Sequence, residues 1–407
     1  TISIMQRQKL KNKLLGYATD FVDLIIDNQK LIKKNGIKII SNAGGVNPIE
    51  CAKIIKNKLS KSCKLKIGVV YGDDIIKDIE DLIKNGHNFK NLETGQDINS
   101  IKENITSANV YIDSFSIKDA LEKGADIVLA GRVSDPGLTL GPLIYEFGWT
   151  KIDYDKLASG TLAGHIIECG AQCTGGNYSK WYELNSLSNI GYPIAEVKSN
   201  GEFLITKPEN TDGIVNRISV TEQILYEMGD PKNYISPDVC VDFTSFNLKE
   251  LSEDKILIQN VKGFKPTKTY KVSISYFSGY KCSAQLTISG PNAHEKASFV
   301  AKTIWERLSN SGYSFDKTNT EFLGFNSCHK NINLKYDGSN EIVLRLSVKD
   351  DVKANVERFS KEISPMITSG PPGITGFAGG RPKVQEVISF WPALLDKNLI
   401  QTTVDVI

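Results

Sequence analysis

The sequence predicts an α/β fold: a mostly parallel βαβ sheet in the N-terminal part and a second, smaller α+β domain after it. Three observations carry this expectation. Four short apolar runs, "IKII" at 37–40, "LKIGVVYG" at 65–72, "ANVYID" at 108–113 and "ADIVLAG" at 125–131, alternate with helical patterns, the rhythm of a parallel sheet covered on both faces. After Tyr178 the texture changes to alternating runs separated by turn residues. The length, 407 residues, exceeds what one hydrophobic core usually organises. Residues 1–190 are therefore expected to form the α/β domain and residues 191–407 an α+β domain ending in a Gly/Pro-rich loop.

Taken in order, "ISIMQRQKLKNKLLGYATDFVDLIIDNQKLIKK" reads as one or two amphipathic helices. The chain starts at Thr1 with neither an initiator Met nor a strand, and is expected to lack a natural N-terminus. After the first run, Asn47 suits an N-cap, Pro48 the first helical position and Glu50 a capping box. Further helix starts are expected at Asp73 and Asp74 and at Asp135, with Pro136 behind it. From Tyr154, "YDKLASGTLAGHIIECGAQC" has helical spacing. "YPIAEVKSNGEFLITKPENTDG" predicts a hairpin turning at Ser199 to Gly201, and "NRISVTEQILYEMGDP" a helix opened by a Ser/Thr cap and closed by Gly229 and Pro231. "KTYKVSISYFSGYKCSAQLTISG" reads as two alternating runs around Gly279. Then come a helix ("NAHEKASFVAKTIWERLSNSG"), a strand ("EIVLRLSVKDD") and another helix ("DVKANVERFSKEISPMIT").

Composition excludes several functions. With 40% apolar residues, 24% charged residues and a net charge of +2, the chain has no bulk attraction to nucleic acid or to an anionic membrane, and neither is expected as a partner. Its longest apolar runs fall well short of the roughly 18 residues of a membrane span. Seven scattered cysteines, an odd number, argue for reduced thiols and a cytoplasmic location.

In open α/β sheets, ligands sit outside the carboxyl ends of the strands, where helix N-termini also point. Along that rim the sequence places Asn42, Gly44 and Gly45, then Asp73 and Asp74, then Asp113, then Arg132, Ser134 and Asp135. Gly44 and Gly45 permit close backbone approach to a carboxylate or phosphate, and Arg132 would add a bidentate clamp. Each Asp and Asn also reads as a plain helix cap. "NAGGVNP" lacks the Lys and Ser/Thr of a P-loop and the spacing of a dinucleotide fingerprint, so ATP and NAD are not expected.

"HIIECGAQCTGGN" (165–177) collects His165, Glu168, Cys169 and Cys173 before a glycine turn. On a continuous helix His165 and Cys173 would stand roughly 12 Å apart along the axis, too far to share one zinc with Cys169 between them. A nucleophilic Cys169 would sit near a helix C-terminus, the wrong end of the dipole for a thiolate. General acid/base work by Glu168 or His165 fits better, with Asp135 as a third candidate. Thr174, Gly175, Gly176 and Asn177 are candidates for holding an anion. Plain helix packing and termination is the alternative. Near the C-terminus, "SGPPGITGFAGGRPKVQEVISFWP" could wrap an anion with backbone N–H groups and Arg381.

Several long blocks in order, "SNAGGVNPIECA", "ADIVLAGRVSDPGLTLGP", "LASGTLAGHIIECGAQCTGGNYS", "GYPIAEV", "ITKPENTDG" and "GGRPKVQEVISFWP", resemble the acyclic terpene utilisation family over nearly the whole chain. The resemblance implies catabolism of acyclic terpenes and other branched acids as acyl-CoA thioesters, through a lyase acting on a 3-hydroxy-3-branched glutaryl-CoA type intermediate. Members generally begin with a glycine-rich strand and loop, and this chain begins after it. The function expected is a C–C lyase working by acid/base chemistry on a small-molecule acyl-CoA or hydroxy-acid substrate. The alternatives are a hydratase or dehydratase, with a divalent metal held by Asp73, Asp74 and Asp135, and a non-catalytic subunit binding a carboxylate or thioester for a partner enzyme. No cofactor is expected beyond the acyl-CoA substrate. A homo-oligomer is expected, with a small companion subunit as a further possibility.

Overall fold

The computed structural model describes residues 2–329, 338–376 and 379–407. Helices and sheets are mixed throughout. The chain divides into two compact units: the first takes in the chain up to Lys102, Thr106–Ile274 and Trp391–Ile407, and the second takes in Glu103–Ile105 and Ser275–Phe390. Position 190 thus lies inside the first unit, and the C-terminal segment returns to that unit.

In the first unit Ile39–Ser41, Ile127–Ala130 and Ile67–Tyr71 lie side by side in that order and parallel, and Thr403–Val406 adds antiparallel beside Ile67–Tyr71. Ile127–Ala130 is buried at every position, which explains its uninterrupted apolar run. Val22, Ile25 and Ile32 of the Thr19–Asn35 helix and Cys51, Ala52 and Ile55 of the Pro48–Lys58 helix pack with Ile67, Val69, Ile127 and Leu129. The expected strand at 108–113 does not join this sheet. Its amides go elsewhere: Val110 N–H to Asp73 O, Tyr111 N–H to Lys271 O and Ile112 N–H to Arg132 O.

Three expected caps are used differently. Asn47 precedes the Pro48–Lys58 helix but makes no side-chain cap; its amide donates to Lys13 O and Leu15 O, and Glu50 pairs with Lys53. No helix starts at Asp73 or Asp74; the next begins at Ile79 behind Asp78. Asp135 is displaced from the cap by Pro136, since the helix spans Gly137–Phe147. The Arg217–Leu225 helix is opened by a capping box of Asn216 and Ser219.

The rest of the first unit encloses the Tyr154–Ile167 helix, buried from Leu157 to Ile166. Around it lie Arg217–Leu225, the antiparallel sheet that contains the expected hairpin Ile194–Val197/Phe203–Thr206, and the small sheet of Lys262–Phe264, Cys240–Asp242 and Tyr234–Ile235. Small residues in "LASGTLAG" allow this. A Cβ on Gly160 would lie 2.7 Å from Leu140 Cδ1, and one on Gly164 would lie 2.6 Å from Pro136 O.

The second unit is an antiparallel sheet covered by helices. Lys317–Leu323, Glu341–Asp350 and the 275–289 part of Thr269–Ser289 are neighbours in that order. Ala297, Val300 and Ile304 of Ala293–Asn310 and Val356 and Phe359 of Lys353–Glu362 pack on it. The two runs read around Gly279 are one continuous strand, Thr269–Ser289. Gly279 serves a close approach inside it, with φ +95° and room for no Cβ beside Asp351 Oδ1 at 2.6 Å.

Candidate functional site

Chain packing assembles the site around the end of one helix. Gly164 lets the Tyr154–Ile167 helix press against Pro136, so His165 and Glu168 come up beside Ser134 and Asp135, the loop that leaves strand Ile127–Ala130 at its carboxyl end. These four residues line a cavity of about 430 Å³ in the first unit, with Tyr111, Glu227, Tyr234, Tyr270 and Lys271 among its other walls. The volume is that of a small-molecule site, for which about 300–1,000 Å³ is usual.

His165 is 2% exposed. Its Nε2 faces the carbonyl oxygen of Ile224 at 3.1 Å; a carbonyl only accepts, so Nε2 carries the proton. With Nε2 so committed, Nδ1 is the ring atom that faces Glu168, whose Oε1 is 3.4 Å away. Nδ1 has no aligned hydrogen bond. Two lone-pair atoms face one another across that gap unless a proton lies on one of them, so the pair is built to hold one proton. Burial pushes the Glu168 carboxyl up from its ordinary range against the pull of His165, and the negative charges of Asp135 and Glu227 add to the rise. Tyr234 and Phe243 stack on each other at 4.7 Å, and the imidazole lies against both, 5.6 and 5.4 Å from their ring centres.

Asp135 accepts from Arg132 Nη2 at 2.6 Å and from Asn42 Nδ2 at 3.3 Å. The guanidinium also lies 4.4 Å from the centre of the Tyr111 ring, with Lys271 Nζ 5.6 Å from the same ring. Behind them Asp73 is buried and accepts from Arg132 N–H at 2.8 Å and Asn109 Nδ2 at 2.9 Å. Gly131 makes room for it, since a Cβ there would sit 2.0 Å from Asp73 Oδ1.

A second polar group meets the same cavity at Tyr270, whose hydroxyl donates to Asp113 Oδ2 at 2.7 Å. Asp238 takes the Ser114 N–H at 3.0 Å and its hydroxyl at 2.8 Å. Burial, and then the charge of Asp113, push the Asp238 carboxyl up to about 7. Lys397 Nζ donates to Pro237 O at 2.6 Å and lies 5.0 Å from the Tyr270 ring centre. The sequence reading placed Asp113 on the rim but missed Tyr270, Asp238 and Lys397. They stand far apart along the chain, and only the fold brings them together.

The family model for acyclic terpene utilisation family protein AtuA matches residues 1–406. The chain belongs to that family. No curated protein and no solved structure matches it.

In this member of the acyclic terpene utilisation family the other candidates are distributed as follows. Gly44 and Gly45 form a turn in which Gly45 N–H donates to Asn42 O, and a Cβ on Gly44 would lie 2.6 Å from Pro48 Cβ. Asp74 accepts from Ile76 N–H and stands 3.8 Å from Lys9 Nζ. Thr174 is buried and donates to Gly191 O at 2.6 Å; Gly175 and Gly176 close their own turn through Gln172 O and Ala171 O, and Asn177 follows with φ 59°. None of Gly44, Gly45, Asp74 and residues 174–177 lines the cavity. Arg381 belongs to the second unit, where it lines a groove of about 470 Å³ with Lys383 and Gln285. Burial raises the Cys169 thiol and pushes Cys173 up to about 12, so neither is prepared as a thiolate. Among the described residues no group of three or more His, Cys, Asp and Glu is placed to hold a metal ion, and none of their helices is long and apolar enough to cross a membrane.

Proposed function

We propose that the chain is an acid/base lyase of acyclic terpene breakdown, cleaving a C–C bond in a branched 3-hydroxyacyl thioester held in the cavity of Tyr111, Asp135, His165, Glu168 and Tyr270. The observation that carries this reading is the His165–Glu168 pair, with Nε2 committed to Ile224 O and one proton's place at the 3.4 Å gap. Family membership supports a role in acyclic terpene utilisation, in keeping with a branched substrate. The mostly apolar lining suits a branched acyl chain. Asp135, Glu168 and Glu227 at the same walls suit an uncharged reacting end, a thioester carbonyl and a hydroxyl.

In the reaction a base takes the 3-hydroxyl proton, the C2–C3 bond breaks, and its electron pair passes into the thioester enolate. The His165–Glu168 pair delivers its proton to C2, giving a ketone and a shortened thioester. Lys271 at the cavity wall supplies positive charge for the enolate oxygen. The carboxyl of Glu168, raised by burial, would serve equally to protonate a departing hydroxyl, and the same site would then dehydrate its substrate.

The test is product analysis with the purified chain alone and 3-hydroxy-3-methylglutaryl-CoA as probe. Acetyl-CoA and acetoacetate support the lyase reading, and an unsaturated thioester supports the dehydratase. No turnover of this or longer branched homologues, together with tight thioester binding or a copurifying small polypeptide, would favour a binding subunit.

A further inference from the structure

We infer that Tyr270 is the second proton-transfer group of the cavity, taking the substrate's hydroxyl proton onto its own oxygen while passing its phenolic proton to Asp113. This rests on the lyase reading above and assigns the base that reading leaves open.

The geometry of the hydroxyl is the starting point. Tyr270 lines the cavity, yet its O–H points away into the protein, donating to Asp113 Oδ2 at 2.7 Å. A phenol that donates inward offers only its oxygen lone pairs to the cavity, so toward a ligand it is an acceptor. A substrate hydroxyl is the complementary group. Burial, then the neighbouring Asp113, raise the phenol, so it works by exchanging protons and not by resting as a phenolate.

The residues behind Tyr270 prepare Asp113 to accept. Asp113 Oδ1 already takes the Phe115 N–H at 3.1 Å, which fixes the carboxylate. Asp238 is buried and bound by Ser114 N–H and Oγ; burial and then the charge of Asp113 raise its carboxyl, so the proton of this pair of acids rests on Asp238 and leaves Asp113 to accept. Lys397, anchored on Pro237 O and 5.0 Å from the Tyr270 ring, balances the remaining negative charge. Asp238 and Lys397 are positioning residues, and Tyr270 is the group that touches substrate.

The step balances. The substrate O–H bond breaks as Tyr270 O accepts its proton, the phenolic O–H bond breaks as Asp113 Oδ2 accepts that one, and the electron pair on the substrate oxygen becomes the ketone π bond. The C2–C3 pair leaves into the thioester enolate and receives the proton of His165–Glu168. Exchange of both groups with water restores the starting state.

The experiment compares Tyr270→Phe, Asp113→Asn and the double variant with the wild type in two assays: cleavage of 3-hydroxy-3-methylglutaryl-CoA, and exchange of the methyl protons of acetyl-CoA in D2O. Tyr270→Phe removes a single oxygen atom. The relay predicts that it lowers kcat for cleavage about 100-fold or more, leaves KM within about threefold, and leaves methyl exchange, the work of Glu168, within about threefold of wild type. The double variant is expected to match the worse single variant, since both remove one relay. Full cleavage by Tyr270→Phe, or exchange and cleavage falling in the same proportion, would overturn the inference. A wild type inactive in both assays would instead remove the lyase reading, and this assignment with it.

Discussion

Gly164 and Pro136 touch backbone to backbone: a Cβ on Gly164 would lie 2.6 Å from the Pro136 carbonyl oxygen and 2.8 Å from its Cα. This contact seats the helix carrying His165 and Glu168 against the loop carrying Ser134 and Asp135. Neither backbone can yield cheaply, so Gly164→Ala is expected to cost about 1–3 kcal/mol of stability by overpacking. Urea unfolding measures it, and turnover should fall in parallel because Glu168 is pushed from the cavity. Wild-type stability in this variant would mean that the contact does not position the site.

Arg132 serves three partners at once, Asp135 at 2.6 Å, Val133 O at 3.0 Å and, across its face, the Tyr111 ring at 4.4 Å. An ammonium is a point donor and cannot keep all three. Asp135 is half exposed, so the ion pair adds only about 0.2–1 kcal/mol to stability. Arg132→Lys should therefore leave the unfolding midpoint nearly unchanged while lowering kcat/KM roughly ten- to hundredfold through a misplaced Asp135. Equal kcat/KM for the two proteins would remove Arg132 from the site.

Asp238 gives a pH test. Burial raises its carboxyl from 3.8 to about 7 in the folded chain, so the folded state favours the protonated form, and the stability this contributes is present below pH 3.8 and lost as pH rises through about 7. Asn is a neutral mimic of the protonated acid. Asp238→Asn should therefore gain stability relative to wild type between pH 4 and pH 8. The gain expected is more than about 1 kcal/mol, since each tenfold change in proton affinity is worth about 1.4 kcal/mol. Parallel stability curves would show that Asp238 is not held in this way.

Much of the first unit was legible in the sequence because its signals are local. The apolar runs at 37–40, 65–72 and 125–131 fall on the strands Ile39–Ser41, Ile67–Tyr71 and Ile127–Ala130, and His165, Glu168 and Asp135 line one cavity at the carboxyl end of the last. What was not legible is set by distance along the chain. Tyr270 reaches Asp113 across 157 positions and Lys397 reaches Pro237 across 160, and no spacing rule connects such residues. Thr403–Val406 joins the first sheet for the same reason unseen. Glycines misled in both directions. Gly279 reads as a turn but lies within a strand, and Gly44 and Gly45 read as an anion loop but pack against Pro48 and Met5.

In the lyase we propose, Glu168 moves a proton with His165 during turnover. The most direct test is kcat of Glu168→Gln on 3-hydroxy-3-methylglutaryl-CoA, or on whichever branched homologue the wild type cleaves fastest, with the unfolding midpoint as control. Gln keeps the size of Glu168 but has no carboxyl to take up or release a proton at the 3.4 Å gap to His165 Nδ1. The expected result is a fall in kcat of about 100- to 10,000-fold with the midpoint unchanged. An unaltered kcat in a folded Glu168→Gln protein would contradict the account.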